Sequence, residues 1–82
     1  MKEGILKALA DGTRLELLRR IAKGEVCACK LPAVVKTSQP AVSQHLAVLR
    51  EAGLVGVRRE GAKRLYSVSE RGRKILAQIA RW

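Results

Sequence analysis

Two cysteines one residue apart, Cys27 and Cys29, are the only thiols in the chain. In extended backbone, residues i and i+2 lie on one face, so the pair turns two soft sulfurs to the same side, a donor set that suits As(III), Cd(II), Pb(II) or Cu(I). A thiol redox switch is the second chemistry open to them, because Lys30 and a nearby helix N-terminus favour the thiolate. The third reading is two small, half-buried side chains without a ligand. His45 is the single histidine, with no second imidazole to share a metal, and it is expected to pack or to touch a phosphate. Asp11 is the single aspartate and nothing in the sequence places it beside His45; with no Gly-rich phosphate loop and no Ser/His/Asp arrangement, catalysis is not expected.

The charge points to a polyanion. Lys and Arg number 17 against 7 Asp and Glu, a net charge of +10 in 82 residues. Aromatic residues make up 2% of the chain, too few to stack bases of a single strand, so duplex DNA is the expected partner and membrane surfaces the weaker alternative. Two cysteines exclude a disulfide framework. The start of the chain is broken by Lys2, Glu3 and Lys7, and no run of about 18 apolar residues occurs, so a cytoplasmic protein with no membrane partner is expected. The length suits one domain, residues 1–82, too small for a deep cleft unless two chains associate.

Local signals order the elements. A first helix is expected over Lys2 to Ala10, with Ile5, Leu6 and Leu9 on one stripe. Asp11 caps a second helix that turns Leu15, Leu18 and Ile21 or Ala22 inward and stops near Gly24. Glu25 to Cys29 reads as a brief extended stretch and Lys30 to Lys36 as a short helix with Pro32 in its first turn. Ser38 and Pro40 open a further helix that runs to Ala52 and ends at Gly53, which completes a helix-turn-helix. Leu54 to Arg59 and Arg64 to Val68 form a hairpin about Glu60-Gly61-Ala62-Lys63, and Ser69 caps a last helix, Glu70 to Ala80, with Ile75, Leu76 and Ile79 on its apolar stripe. The fold class is mainly α with a small β-hairpin, a winged helix-turn-helix.

On the helix that begins at Ser38, Val42, Leu46 and Leu49 form the core stripe, and Pro40, Ser43, Gln44 and Ala47 face away. That outer face is small and neutral where an exposed helix usually carries Lys and Glu, which suits entry into a major groove. Gln pairs with adenine, Ser serves either base type, and Pro or Ala meets a thymine methyl. Residues 54 to 74 hold Arg58, Arg59, Lys63, Arg64, Arg71, Arg73 and Lys74 against Glu60 and Glu70, a cationic wing expected to grip phosphates. The expected DNA-binding residues are therefore Ser38, Gln39, Pro40, Ser43, Gln44, His45, Arg58, Arg59, Lys63 and Arg64.

These segments resemble the ArsR/SmtB family of dimeric winged-helix metalloregulatory repressors. Ala8 to Leu15 is similar to the family's leading segment, with Gly12 where Pro is frequent; Ser38 to Leu49 with Ala52 to Val55 is similar to its recognition helix; and Arg58 to Gly61 with Tyr66 to Val68 is similar to its wing. Glu25 to Leu31 resembles the Glu-Leu-Cys-Val-Cys-Asp-Leu box by which arsenic-responsive members bind arsenite or antimonite, with Lys30 in place of the box's Asp and Pro32 where some members carry a third thiol. The resemblance implies a homodimeric repressor joined through its first and last helices, with no obligatory cofactor. As(III), Sb(III) or another thiophilic ion at Cys27 and Cys29 would release it from its operator by changing the spacing of the two reading helices. The family's other sensing site, on the last helix, uses Asp and His ligands, and Glu70 to Trp82 has neither. The alternatives are a redox-sensing or ligand-independent regulator, and a basic interaction module that docks on an acidic protein or RNA.

Overall fold

The computed structural model describes residues 2–81. Its helices are α1 (Lys2–Leu9), α2 (Gly12–Ala22), α3 (Leu31–Val35), α4 (Gln39–Glu51) and α5 (Glu70–Ile79), and its strands β1 (Val26–Cys27), β2 (Val55–Glu60) and β3 (Lys63–Val68). The starts follow the capping residues. Asp11 accepts from the backbone N–H groups of Thr13 (2.8 Å) and Arg14 (3.3 Å) at the head of α2, Ser38 accepts from Ala41 at α4, and Ser69 accepts from Gly72 at α5. The Arg14 and Thr13 amides, together with the charge of Arg14, hold the Asp11 carboxyl below its usual range. Pro40 sits in the first turn of α4, where no intrahelical donor is lost.

The hairpin departs from expectation in extent and in partners. Glu60 pairs with Lys63, so the turn is only Gly61-Ala62, with Gly61 at φ 61°. The brief stretch before the thiols is not isolated: β1 pairs antiparallel with β3, Val26 opposite Tyr66 and Cys27 opposite Leu65, which gives a three-stranded sheet of order β1-β3-β2. The segment expected as one helix from Lys30 begins as a 3-10 turn at Ala28–Lys30 and passes into α3.

Leu17, Leu18, Ile21, Leu31, Val42, Leu46, Leu49 and Leu54 are fully enclosed, and Val26, Val55 and Tyr66 close the core from the sheet side. Leu15, expected inward, is half-exposed, and Leu17 is buried instead. The physical reason is that α2 packs against α1, α3, α4, α5 and β3, so its buried arc centres on Ile21 and leaves Leu15 at the margin. The stripe Val42, Leu46, Leu49 anchors α4 and forces its opposite face outward.

Candidate functional site

The outward face of α4 carries Pro40, Ser43, Gln44 and Ala47, all exposed, with Ser38 and Gln39 exposed at its start. Beside it lies an open groove of about 450 Å³ whose walls include Gln39, Ser43, Ala47 and Arg50 from α4 and Arg64 and Tyr66 from β3. Arg50 was missed in the sequence; it follows Ser43 and Ala47 at i+7 and i+3, so carrying the helical wheel one turn further would have found it.

Strand alternation divides the wing cations between two faces. Arg59 and Arg64 are directly opposed and share the face of Val57 and Tyr66; with Arg50 and the neighbouring Arg58 they line a second depression of about 300 Å³. Among the described residues Arg50, Arg59 and Arg64 are not ion-paired. Lys63 and Arg58 alternate to the other side of the strands, yet at the wing tip Lys63 still walls one pocket with Arg64, and Arg58 borders the depression of Arg59 and Arg64. Arg58 donates from Nε and Nη2 to the two carboxylate oxygens of Glu25, both at 2.8 Å, and from Nη1 to Glu60 at 3.3 Å. Two carboxylates keep the guanidinium firmly protonated, and the bond from Arg58 holds the Glu25 carboxyl below its usual range. Arg58 thus straps the wing to the segment that precedes the thiols, its charge already balanced.

His45 is half-buried behind the outward face. Arg14 Nη1 lies 3.4 Å from its Nδ1, and because guanidinium only donates, this contact requires Nδ1 to be the acceptor. The same Arg14 donates from Nε to the Ala8 carbonyl (2.9 Å) and from Nη2 to the Lys7 carbonyl (3.1 Å), two groups at the end of α1. One side chain therefore joins α1, α2 and α4. Arg14→Leu is expected to lower unfolding free energy by about 1–2 kcal/mol, and Arg14→Lys to recover little of it, because a single ammonium does not span three acceptors. Urea unfolding of both variants checks this.

The thiols lie in a separate depression next to the groove. Cys27, half-buried, accepts from the Cys29 backbone N–H at 3.4 Å, and the two Sγ atoms are 2.7 Å apart. The hydrogen bond from the Cys29 thiol, then the Cys29 amide, then the charges of Lys63 and Lys30 bring the Cys27 thiol below its usual range; sharing that bond and burial push Cys29 up. Lys63 comes from the wing, a neighbour that spacing alone did not reveal. Cys27 and Cys29 open onto a pocket of about 240 Å³ completed by Gln39 of α4 and Ala62, Lys63 and Arg64 of the wing. Among the described residues no cluster of three or more His, Cys, Asp or Glu side chains is gathered for a metal.

The family model described as bacterial regulatory protein, arsR family, matches residues 11–57, from the cap of α2 into the wing. The chain belongs to the ArsR family. An HTH-type transcriptional regulator of Methanocaldococcus jannaschii is 40% identical over 77 residues, which cover 92% of this ArsR-family chain and 86% of that protein. A Halobacterium salinarum protein named as an arsenical resistance operon repressor, ArsR2, is 52% identical over 68 residues, 80% of this chain. This chain spans only 57% of that relative's length. Among solved structures, the homodimeric winged helix-turn-helix DNA-binding domain of a possible ArsR-family regulator from Mycobacterium bovis superposes with a TM-score of 0.88 at 30% identity, covering 95% of this chain and 73% of that one. The fold of this ArsR-family chain is the winged helix-turn-helix. Among the described residues no helix is long and apolar enough to cross a membrane.

Proposed function

We propose that this chain is a sequence-specific DNA-binding transcriptional repressor, one winged helix-turn-helix domain over residues 1–82, acting as a homodimer in the cytoplasm. The observation that carries the reading is the groove in which the exposed face of α4, small and neutral up to Arg50 and Glu51 at its far end, converges with Arg59 and Arg64 of the wing, neither ion-paired among the described residues. Ser43, Gln44 and Ala47 meet base edges; Ser38, Gln39 and Pro40 at the helix start and the half-buried His45 set its register; Arg59, Lys63, Arg64 and Arg50 neutralise phosphates. Arg58, its charge balanced by Glu25 and Glu60, serves the interface by holding the wing in place.

Leu6 is 68% exposed on α1, and Ile75, Leu76 and Ile79 are half-covered on α5. These apolar residues are the surfaces a second copy would cover, bringing two reading helices to successive major grooves about one helical turn apart.

Cys27 and Cys29 are the inducer site. Two soft sulfurs on one side suit As(III), Sb(III) or another thiophilic ion, and the remaining coordination position falls to a small thiol, a partner chain or a carbon substituent already on the metalloid. The lowered Cys27 thiol favours a second reading of the pair as a redox sensor.

The test is binding of the reduced protein to a duplex selected from a random pool, with competitor DNA present, then titration with arsenite, Cd(II) or a mild oxidant beside the Cys27→Ser/Cys29→Ser variant. Tight, competitor-resistant binding released by arsenite in the unsubstituted chain alone is the expected result. Loss of the complex to competitor favours the general polyanion module, release by oxidant alone favours the redox reading, and a variant released normally overturns the thiol assignment.

A further inference from the structure

The thiol pocket and the DNA-facing groove are two depressions with a common wall: Ala28, Gln39 and Arg64 line both. This follows from the register of the sheet. Cys27 stands opposite Leu65 on β3, one residue along from Arg64, while the turn at Gly61-Ala62 brings Lys63 back over the thiols. The 3-10 turn that carries Cys29 lies against α4, so Gln39 at the head of that helix completes the pocket. A group bonded to either sulfur has about 240 Å³ in which to stand, and every wall of that space other than the cysteine segment belongs to the wing tip or to the start of the reading helix.

We infer that the thiol pair acts within one subunit, by occlusion: a group attached to Cys27 or Cys29 occupies the place between Gln39, Lys63 and Arg64 that a DNA backbone needs, so modification and duplex are mutually exclusive on each protomer. This rests on the DNA-binding reading above and deepens it by fixing the route of release. Rearrangement of the dimer is a separate route and makes different predictions. Occlusion requires no change in the spacing of two reading helices, so it operates equally on a duplex that meets only one of them. It also works in reverse, because bound DNA covers the exposed Cys29 thiol. An attached group that carries negative charge is held in place by Lys63, Arg64 and Lys30, and it withdraws two of the wing cations from phosphate.

The test uses N-ethylmaleimide, an uncharged reagent that the potential of DNA does not repel; the attacking sulfur adds to its double bond and the thiol proton passes through solvent to the adjacent carbon. With the selected duplex at about ten times Kd, the rate of modification, read by intact mass, is expected to fall about tenfold, since only the unbound fraction reacts. Protein fully modified beforehand is expected to bind at least about tenfold more weakly to the full duplex and also to one of about ten base pairs that holds a single half-site. Far-UV circular dichroism of the modified protein should be unchanged, and the Cys27→Ser/Cys29→Ser variant should keep its affinity after the same treatment. Equal modification rates with and without duplex overturn the inference, as does a loss of affinity confined to the longer duplex, which is the signature of dimer rearrangement. A chain that binds no duplex before modification overturns the DNA reading itself.

Discussion

Gly72→Ala is expected to destabilise the fold by about 2 kcal/mol and to lower Tm by about 10 °C, although alanine is the better helix former by about 1 kcal/mol. Gly72 is the third residue of α5 and is buried. A Cβ there would overlap the Leu54 carbonyl oxygen and stand 2.9 Å from Val68 Cγ2 and 3.2 Å from the Leu54 carbonyl carbon. Backbone on one side and a β-branched side chain on the other leave no flexible end to move aside. The same carbonyl accepts from the Ser69 N–H at 3.0 Å, while Ser69 Oγ donates to the Gly53 carbonyl at 2.6 Å and accepts from the Gly72 N–H at 3.0 Å. Displacing α5 therefore disturbs its own cap and the junction where α4 passes into β2. Gly4→Ala is the control: Gly4 lies within α1 with nothing inside 4 Å of its Cβ position, so the same substitution should stabilise by about 0.5–1 kcal/mol. Thermal unfolding at one protein concentration decides it, and equal Tm changes at the two glycines would contradict the close packing of α5 on Leu54.

What the sequence made readable were features decided within one turn of backbone. Ser38 with Pro40, Gly53 at φ 76°, Gly61 and Ser69 each mark a boundary through their own conformation or a neighbour's amide, and each element begins or ends where they stand. The closeness of the thiols and the small outer face of α4 were readable from spacings of a few residues, although the extended chain expected through Cys29 ends at Cys27 and gives way to a 3-10 turn over Ala28–Lys30. The features that escaped depend on distant partners. Arg58 meets Glu25 across 33 residues and was read as one more phosphate-binding cation; its spacing carries no trace of the carboxylates that hold it. Arg14 drew no reading from the sequence, because its three acceptors come from α1 and α4. A strand of two residues is too short to show a period, so the pairing of β1 with β3, which brings the thiols under the wing, came only from the fold.

Removal of Arg59 and Arg64 together is expected to weaken binding to specific and nonspecific duplexes alike, on the order of tenfold per subunit, and to flatten the slope of log K against log salt by about 0.9 for every phosphate no longer neutralised. The pair is opposed across β2 and β3 on the face that looks toward α4, and without a carboxylate partner its charge is available to counterions in the free protein. Release of the DNA's own condensed counterions is what the salt slope counts. Arg58→Ala gives the contrast: it removes one charge, from the strand that carries Arg59, but Glu25 and Glu60 already neutralise it, so the slope should change little even where the wing loosens. Gln44→Ala removes no charge; it should leave the slope intact and cost about 1–3 kcal/mol of discrimination between the selected duplex and a random one. Three variants thus separate phosphate grip, wing support and base reading by measurements that do not substitute for one another. Should Arg58→Ala flatten the slope as much as the Arg59/Arg64 pair, DNA would have to meet the opposite face of the wing, where the Glu25 strap lies, and the groove beside α4 would lose its assignment.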